Sequence, residues 1–192
     1  MRALLLRLAA ALTLAAAVSA AMVSCSPTAD PGDQGTVKAD ARSAQEWALA
    51  DGVVTPAEYR NAVDRFISCV RKAGYEVSAP LRSPVDGLTL LYEITPSGSP
   101  DVYNSAVEEC NLSHISDIEP AFVEARPQVM DEELRRAVSA CLKASGVPVT
   151  GKERNFPDFK EVAAEDAMAV QCVSDSARKM FPELPDELIM RG

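Results

Sequence analysis

The chain has 192 residues, of which 47% are hydrophobic, 24% charged and only 5% aromatic, with 28 acidic against 19 basic side chains for a net charge of −9. That is room for one ordinary domain or two small ones, with a core built mainly from Ala, Val, Leu and Ile. So acidic a surface argues against nucleic acid, whose phosphates require clustered Lys and Arg, and against a polybasic grip on anionic lipid.

Residues 1–24 open on Arg2, run through an apolar stretch from Leu8 to Val23 and end in small residues before a cysteine, Met22-Val23-Ser24-Cys25. A positive start, an apolar middle and a small-residue end describe an export signal. The stretch resembles a bacterial lipoprotein signal, although Met22 stands where leucine is commonest. The resemblance implies cleavage before Cys25 and diacylation of its sulfur. Cleavage after Ala20, or an uncleaved anchor nearly long enough to span a bilayer, are the alternatives these residues leave open. Cysteine counting agrees with lipidation: five is an odd number, and an exported protein rarely leaves a thiol unassigned. With Cys25 lipidated, Cys69, Cys110, Cys141 and Cys172 remain as an even set on the oxidising side of the membrane. Acyl chains, at about 0.8 kcal/mol per buried methylene, would hold the protein on the outer face of the cytoplasmic membrane. Loss of Arg2 and Arg7 leaves 17 basic against 28 acidic residues, a net charge of −11.

Residues 25–40, rich in Pro, Gly, Asp and Thr, form a flexible tether. A short helix follows over Ala41–Ala50 with the one tryptophan, Trp47, expected as a core plug. Asp51-Gly52 breaks it. Thr55 then caps a new helix, Pro56 suits the first helical position, where a missing N–H costs nothing, and Glu58 closes a capping box. The stretch Asp51–Glu58 has the look of the second half of a calcium loop, but the first and third ligand positions fall on Trp47 and Leu49, which cannot bind a hard cation. It therefore reads as a helix-turn-helix joint. The helix runs from Thr55 to Gly74, and Leu88–Ile94 is a strand expected to pair with Tyr75–Val77. Ser99-Pro100-Asp101 starts a helix carrying Cys110, and Ser116–Glu119 reads as a capping box opening a short segment to Ala125. Pro127 marks the boundary between a first half, 41–126, and a second, 127–192. The second half has a helix over Asp131–Ser145 with Cys141, an extended stretch through Phe156, and a helix over Phe159–Lys179 with Cys172, capped by Asp158 and Glu161. The tail from Pro182 packs only in part.

The halves are related. Aligning Cys69 with Cys141 matches Ala62 with Leu134, Phe66 with Val138, Val70 with Leu142 and Val77 with Val149, and sets Gly74 against Gly146. The matched helical positions recur on one helix face. The fold class is thus mainly α with a minor β hairpin or sheet, in two similar helix-connector-helix halves. Four cysteines allow three pairings, and sequence does not choose among them. Cys69 with Cys110 and Cys141 with Cys172, one staple in each half, is the economical one.

Chemistry is sparse. His114 is the one histidine, so a His-dependent mechanism would have to use it, with Ser113, Ser116 and Asp117 as neighbours. A surface or helix-end role suits it better. No C-x-x-C pair, phosphate loop, G-x-S-x-G or H-E-x-x-H occurs. No cofactor and no catalytic residue is expected. Acidic pairs and triplets, Glu108-Glu109, Asp131-Glu132-Glu133 and Glu161, Glu165, Asp166, read as solvated helix faces and first turns. Asp51–Tyr59 followed by Cys69–Gly74 resembles a D-G-x-[VI]-T-x-x-E-[YF] turn leading to a C-[VLM]-x-x-x-G helix end, found in a group of actinobacterial lipoproteins and secreted proteins. The resemblance brings no activity with it. The expected function is a membrane-anchored, non-catalytic interaction or structural module with a membrane or cell-wall partner and an exposed apolar patch or a groove between its halves. The alternative is a small-ligand or cation-binding protein using the acidic faces.

Overall fold

The computed structural model describes residues 43–163 and 165–191, and of the capping signals read from the sequence the Thr55–Glu58 box forms as read, while Ser99 precedes its helix without a side-chain cap bond. Residues 1–42, which hold the expected signal segment, Cys25 and the expected tether, lie outside the described residues. Helix α1 spans 43–49. Helix α2, Pro56–Lys72, begins as its chemistry dictates: Thr55 Oγ1 accepts from the Glu58 N–H and Glu58 accepts from the Thr55 N–H at 2.8 Å. Helices α3, Pro100–His114, and α4, Ile118–Glu124, complete the first half. The second half has α5, Glu132–Ala144, α6, Phe156–Val162, and α7, Asp166–Met180. Asp131 caps α5 by accepting from the N–H groups of Glu133 and Leu134.

The repeat holds down to single hydrogen bonds. Gly74 and Gly146 both take positive φ, 97° and 84°, which leaves the helix in a left-handed residue that only glycine adopts at no steric cost. In each copy the next N–H reaches back to close the helix end, Tyr75 to the Val70 carbonyl and Val147 to that of Leu142. Ala62, Phe66 and Val70 are buried, as are Leu134, Val138 and Leu142. Cys69 and Cys141 lie at the margin of that stripe, half-buried, while their partners are fully buried. Cys69 bonds Cys110 and Cys141 bonds Cys172, with Cα separations of 5.7 Å in both. Each bridge joins the paired helices of one half, α2 to α3 and α5 to α7.

Four expectations are corrected. Trp47 is not a core plug: it is 37% exposed, with the Arg65 guanidinium 4.2 Å from its ring centroid. The inward face of α1 carries Gln45 and Ala48 instead, because Gln45 meets a polar demand that tryptophan cannot. That demand explains the second correction, since Ser116–Glu119 forms no capping box. Gln45 Oε1 accepts from the Asp117 and Ile118 N–H groups, its Nε2 donates to Ser116 Oγ and the Leu112 carbonyl at 2.8 Å, and α4 is capped from another helix. Third, Phe159–Lys179 is two helices, with Ala163 extended at the break and Asn155, not Asp158 or Glu161, capping α6. A straight helix of that length would be about 32 Å long against about 20 Å for α5, so folding back keeps both Phe159 and Val173 on the core. Fourth, Leu88–Ile94 is not one strand. Strand β1, Glu76–Val77, pairs with β4, Ile94–Thr95, while β2, Leu81–Arg82, pairs with β3, Leu90–Leu91, both antiparallel. The register shifts by one residue between the two ladders. Pro80, which has no N–H for a ladder, lies in that bulge.

Two hydrophobic clusters result. One is drawn from residues between Ala48 and Val123, the other from Val85 and residues from Met130 onward. Val85 crosses over because the turn between β2 and β3 docks on the second half: the Asp86 carbonyl accepts from Val129 N–H and that of Pro84 from Asp131 N–H. Asp86 fixes the turn by accepting from the Leu88 and Thr89 N–H groups and the Thr89 hydroxyl. At Gly87 a Cβ would lie 2.9 Å from the Val129 carbonyl oxygen, so the close approach requires glycine.

Candidate functional site

The halves meet again where the chain ends. Tyr59 on α2 is 2% exposed; its hydroxyl donates to Glu119 Oε2 at 2.8 Å and accepts from Leu90 N–H at 2.9 Å. Glu119 is paired from its other oxygen by Arg191, brought back across the first half by the tail. Burial, then the Glu119 charge, pushes the phenols of Tyr59 and Tyr92 well above the usual tyrosine range, so both stay neutral. Over this network lies a groove of about 410 Å³. Leu90, Tyr92, Ile94 and Tyr103 line one side, the tail residue Ile189 the other, and Glu93, Asp186 and Glu187 add carboxylates.

The histidine expected at a surface or helix end is the last residue of α3, half-buried. Burial first, then Arg65 and Lys72, lowers its pKa, and it lines no part of the groove. Its neighbours do not converge on it, since Ser116 is held by Gln45. The acidic clusters stay apart on α3, at the start of α5 and across the α6–α7 break, and no three potential metal ligands come together among the described residues. No described helix is long and apolar enough to cross a membrane.

A second cleft went unsignalled in the sequence because overall charge hides it: about 640 Å³, lined by Arg135, Lys152 and Arg154 with Glu132. The loop beside it is held by Glu153, which is 4% exposed and accepts from Thr150 N–H, the Thr150 hydroxyl and Gly151 N–H. Burial works to raise its pKa, but these donors outweigh it and hold the carboxyl at about 2, against 4.5 unperturbed. A depressed folded-state pKa adds stability that is complete above the unfolded value and lost as pH falls through the folded one. The Tm advantage of the wild type over Glu153→Gln is therefore expected to shrink as pH falls from 4.5 to about 2. A difference independent of pH over that window in thermal unfolding would remove the assigned role.

Compared with protein-family models, with curated proteins and with solved structures, the chain gives no match in any of the three.

Proposed function

We propose that the chain is a lipoprotein anchored through Cys25 on the outer face of a bacterial cytoplasmic membrane, working by binding a partner and not by catalysis. The observation that carries the binding reading is the groove between the halves, whose apolar walls are edged by Glu93, Asp186 and Glu187. An apolar trough with carboxylates along it is complementary to an extended segment of a membrane or cell-wall protein with apolar side chains flanked by Lys or Arg. The lipobox-like Met22–Cys25 and the odd cysteine left by two bridges support the anchor. The motif over Asp51–Tyr59 and Cys69–Gly74 supports kinship with actinobacterial lipoproteins.

Protein purified from its own membrane is the sample for the test, its intact mass beginning at Cys25 with a diacylglycerol. A lysine-flanked apolar peptide, titrated by fluorescence anisotropy, is expected to bind saturably. Replacing Glu93, Asp186 and Glu187 with their amides should weaken it about tenfold, as loss of two or three partly screened charge contacts would. Affinity untouched by those three changes would move the binding surface elsewhere.

A further inference from the structure

In a chain with 28 acidic against 19 basic side chains, one cleft carries the opposite sign. Arg135 on α5 and Lys152 and Arg154 on the loop before α6 line it, with Glu132 as the one opposing charge. None of the three cationic side chains makes an ion pair or hydrogen bond among the described residues. The reason is where the neighbouring carboxylates are engaged. Glu153, between Lys152 and Arg154 in sequence, turns inward onto Thr150 and Gly151. Asp158 accepts from the Arg154 N–H at 2.7 Å, and Asp131 accepts from the first N–H groups of α5. The acids that would neutralise the cleft hold its backbone together, and the cations are left lining it.

We propose that this cleft binds a phosphate-bearing anion. Two guanidinium forks match phosphate oxygens bidentately and an ammonium adds a compact point charge. Among the residues that line the cleft, three positive charges less Glu132 suit a group carrying about −2 at pH 7. The volume, about 640 Å³, exceeds a bare ion and accommodates a phosphorylated small molecule or a phospholipid headgroup. The cleft shares no lining residue with the groove between the halves, so the two readings stand or fall separately.

The test is calorimetric titration of the full chain in neutral detergent with sodium pyrophosphate and, separately, with glycerophosphoglycerol, the water-soluble diester of a lipid headgroup. Pyrophosphate is expected to bind, and Arg135→Gln with Arg154→Gln to weaken it at least about tenfold, each lost charge-assisted contact amounting to a factor of ten or more. Lys143→Gln, an exposed cation near the far end of α5, should leave binding unchanged. Glu132→Gln should tighten it severalfold, a gain that misfolding cannot imitate. Binding of glycerophosphoglycerol alone, with the same pattern across variants, would assign the site to a lipid headgroup. No binding of either anion at millimolar concentration, or affinities indifferent to Arg135, Arg154 and Glu132, would overturn the proposal.

Discussion

Replacing Cys141 and Cys172 together with alanine is expected to lower unfolding free energy by about 4 kcal/mol, the closure entropy of a loop spanning 31 residues. The first-half pair, 41 residues apart, should lose about as much by that measure. The consequences differ, because the cores differ. The first cluster buries Tyr59, Phe66, Tyr75 and Phe122, whereas the second buries Phe156 and Phe159, with Phe181 packed against it half-buried. A domain's whole margin is about 5–15 kcal/mol, so the second half has less to fall back on. Trp47 lies in the first half, packed under Arg65, and its fluorescence reports that half, while far-UV circular dichroism reports all the helices. In urea, the variant lacking Cys141 and Cys172 should lose part of its dichroism before Trp47 responds. An unchanged midpoint by both probes would show that the bridge adds no stability.

Gln45→Leu should cost about 3 kcal/mol or more, a large effect for a surface helix of one and a half to two turns. The side chain is 0% exposed and has both ends of its amide occupied. Leucine fills a similar volume but leaves the Leu112 carbonyl and the Asp117 and Ile118 N–H groups buried or half-buried without their partner, at about 1–3 kcal/mol per unsatisfied group. Since α4 has no side-chain cap of its own, its first turn should fray. Urea unfolding measures the cost, and faster amide exchange at Ile118 locates it. Wild-type stability in Gln45→Leu would mean that water or backbone adjustment replaces the amide.

Part of this fold was legible because its causes are local. Thr55-Pro56-Ala57-Glu58 carries its own cap, and the glycine five residues after Cys69 and after Cys141 closes its own helix, so both copies could be read along the chain. The bridge within each half followed from economy, and the same pairing forms. Two of the misreadings share one cause, which is a partner from far away. Trp47 is the largest side chain of α1, yet the buried position went to Gln45 because α4, 72 residues on, had N–H groups to satisfy. Glu119 was read as a cap and is instead shared by Tyr59 and Arg191. The basic cleft was hidden by net charge, which counts carboxylates without saying that Glu153, Asp131 and Asp158 are turned onto backbone N–H groups.

By itself, then, the sequence determined where the repeated helices of Cys69 and Cys141 begin and end and which face of each is apolar, both of which depend on residues within a turn or two, and that four cysteines form an even set. The tertiary structure decided which polar side chains are buried, how the tail returns to Glu119 and which charges remain unpaired. The burial of Gln45 and the return of the tail depend on segments 60 to 73 residues apart meeting in space, which no local pattern encodes; the unpaired charges of the basic cleft follow from the short-range bonds that engage Glu153, Asp131 and Asp158 and from the packing that sets Arg135 beside Lys152 and Arg154.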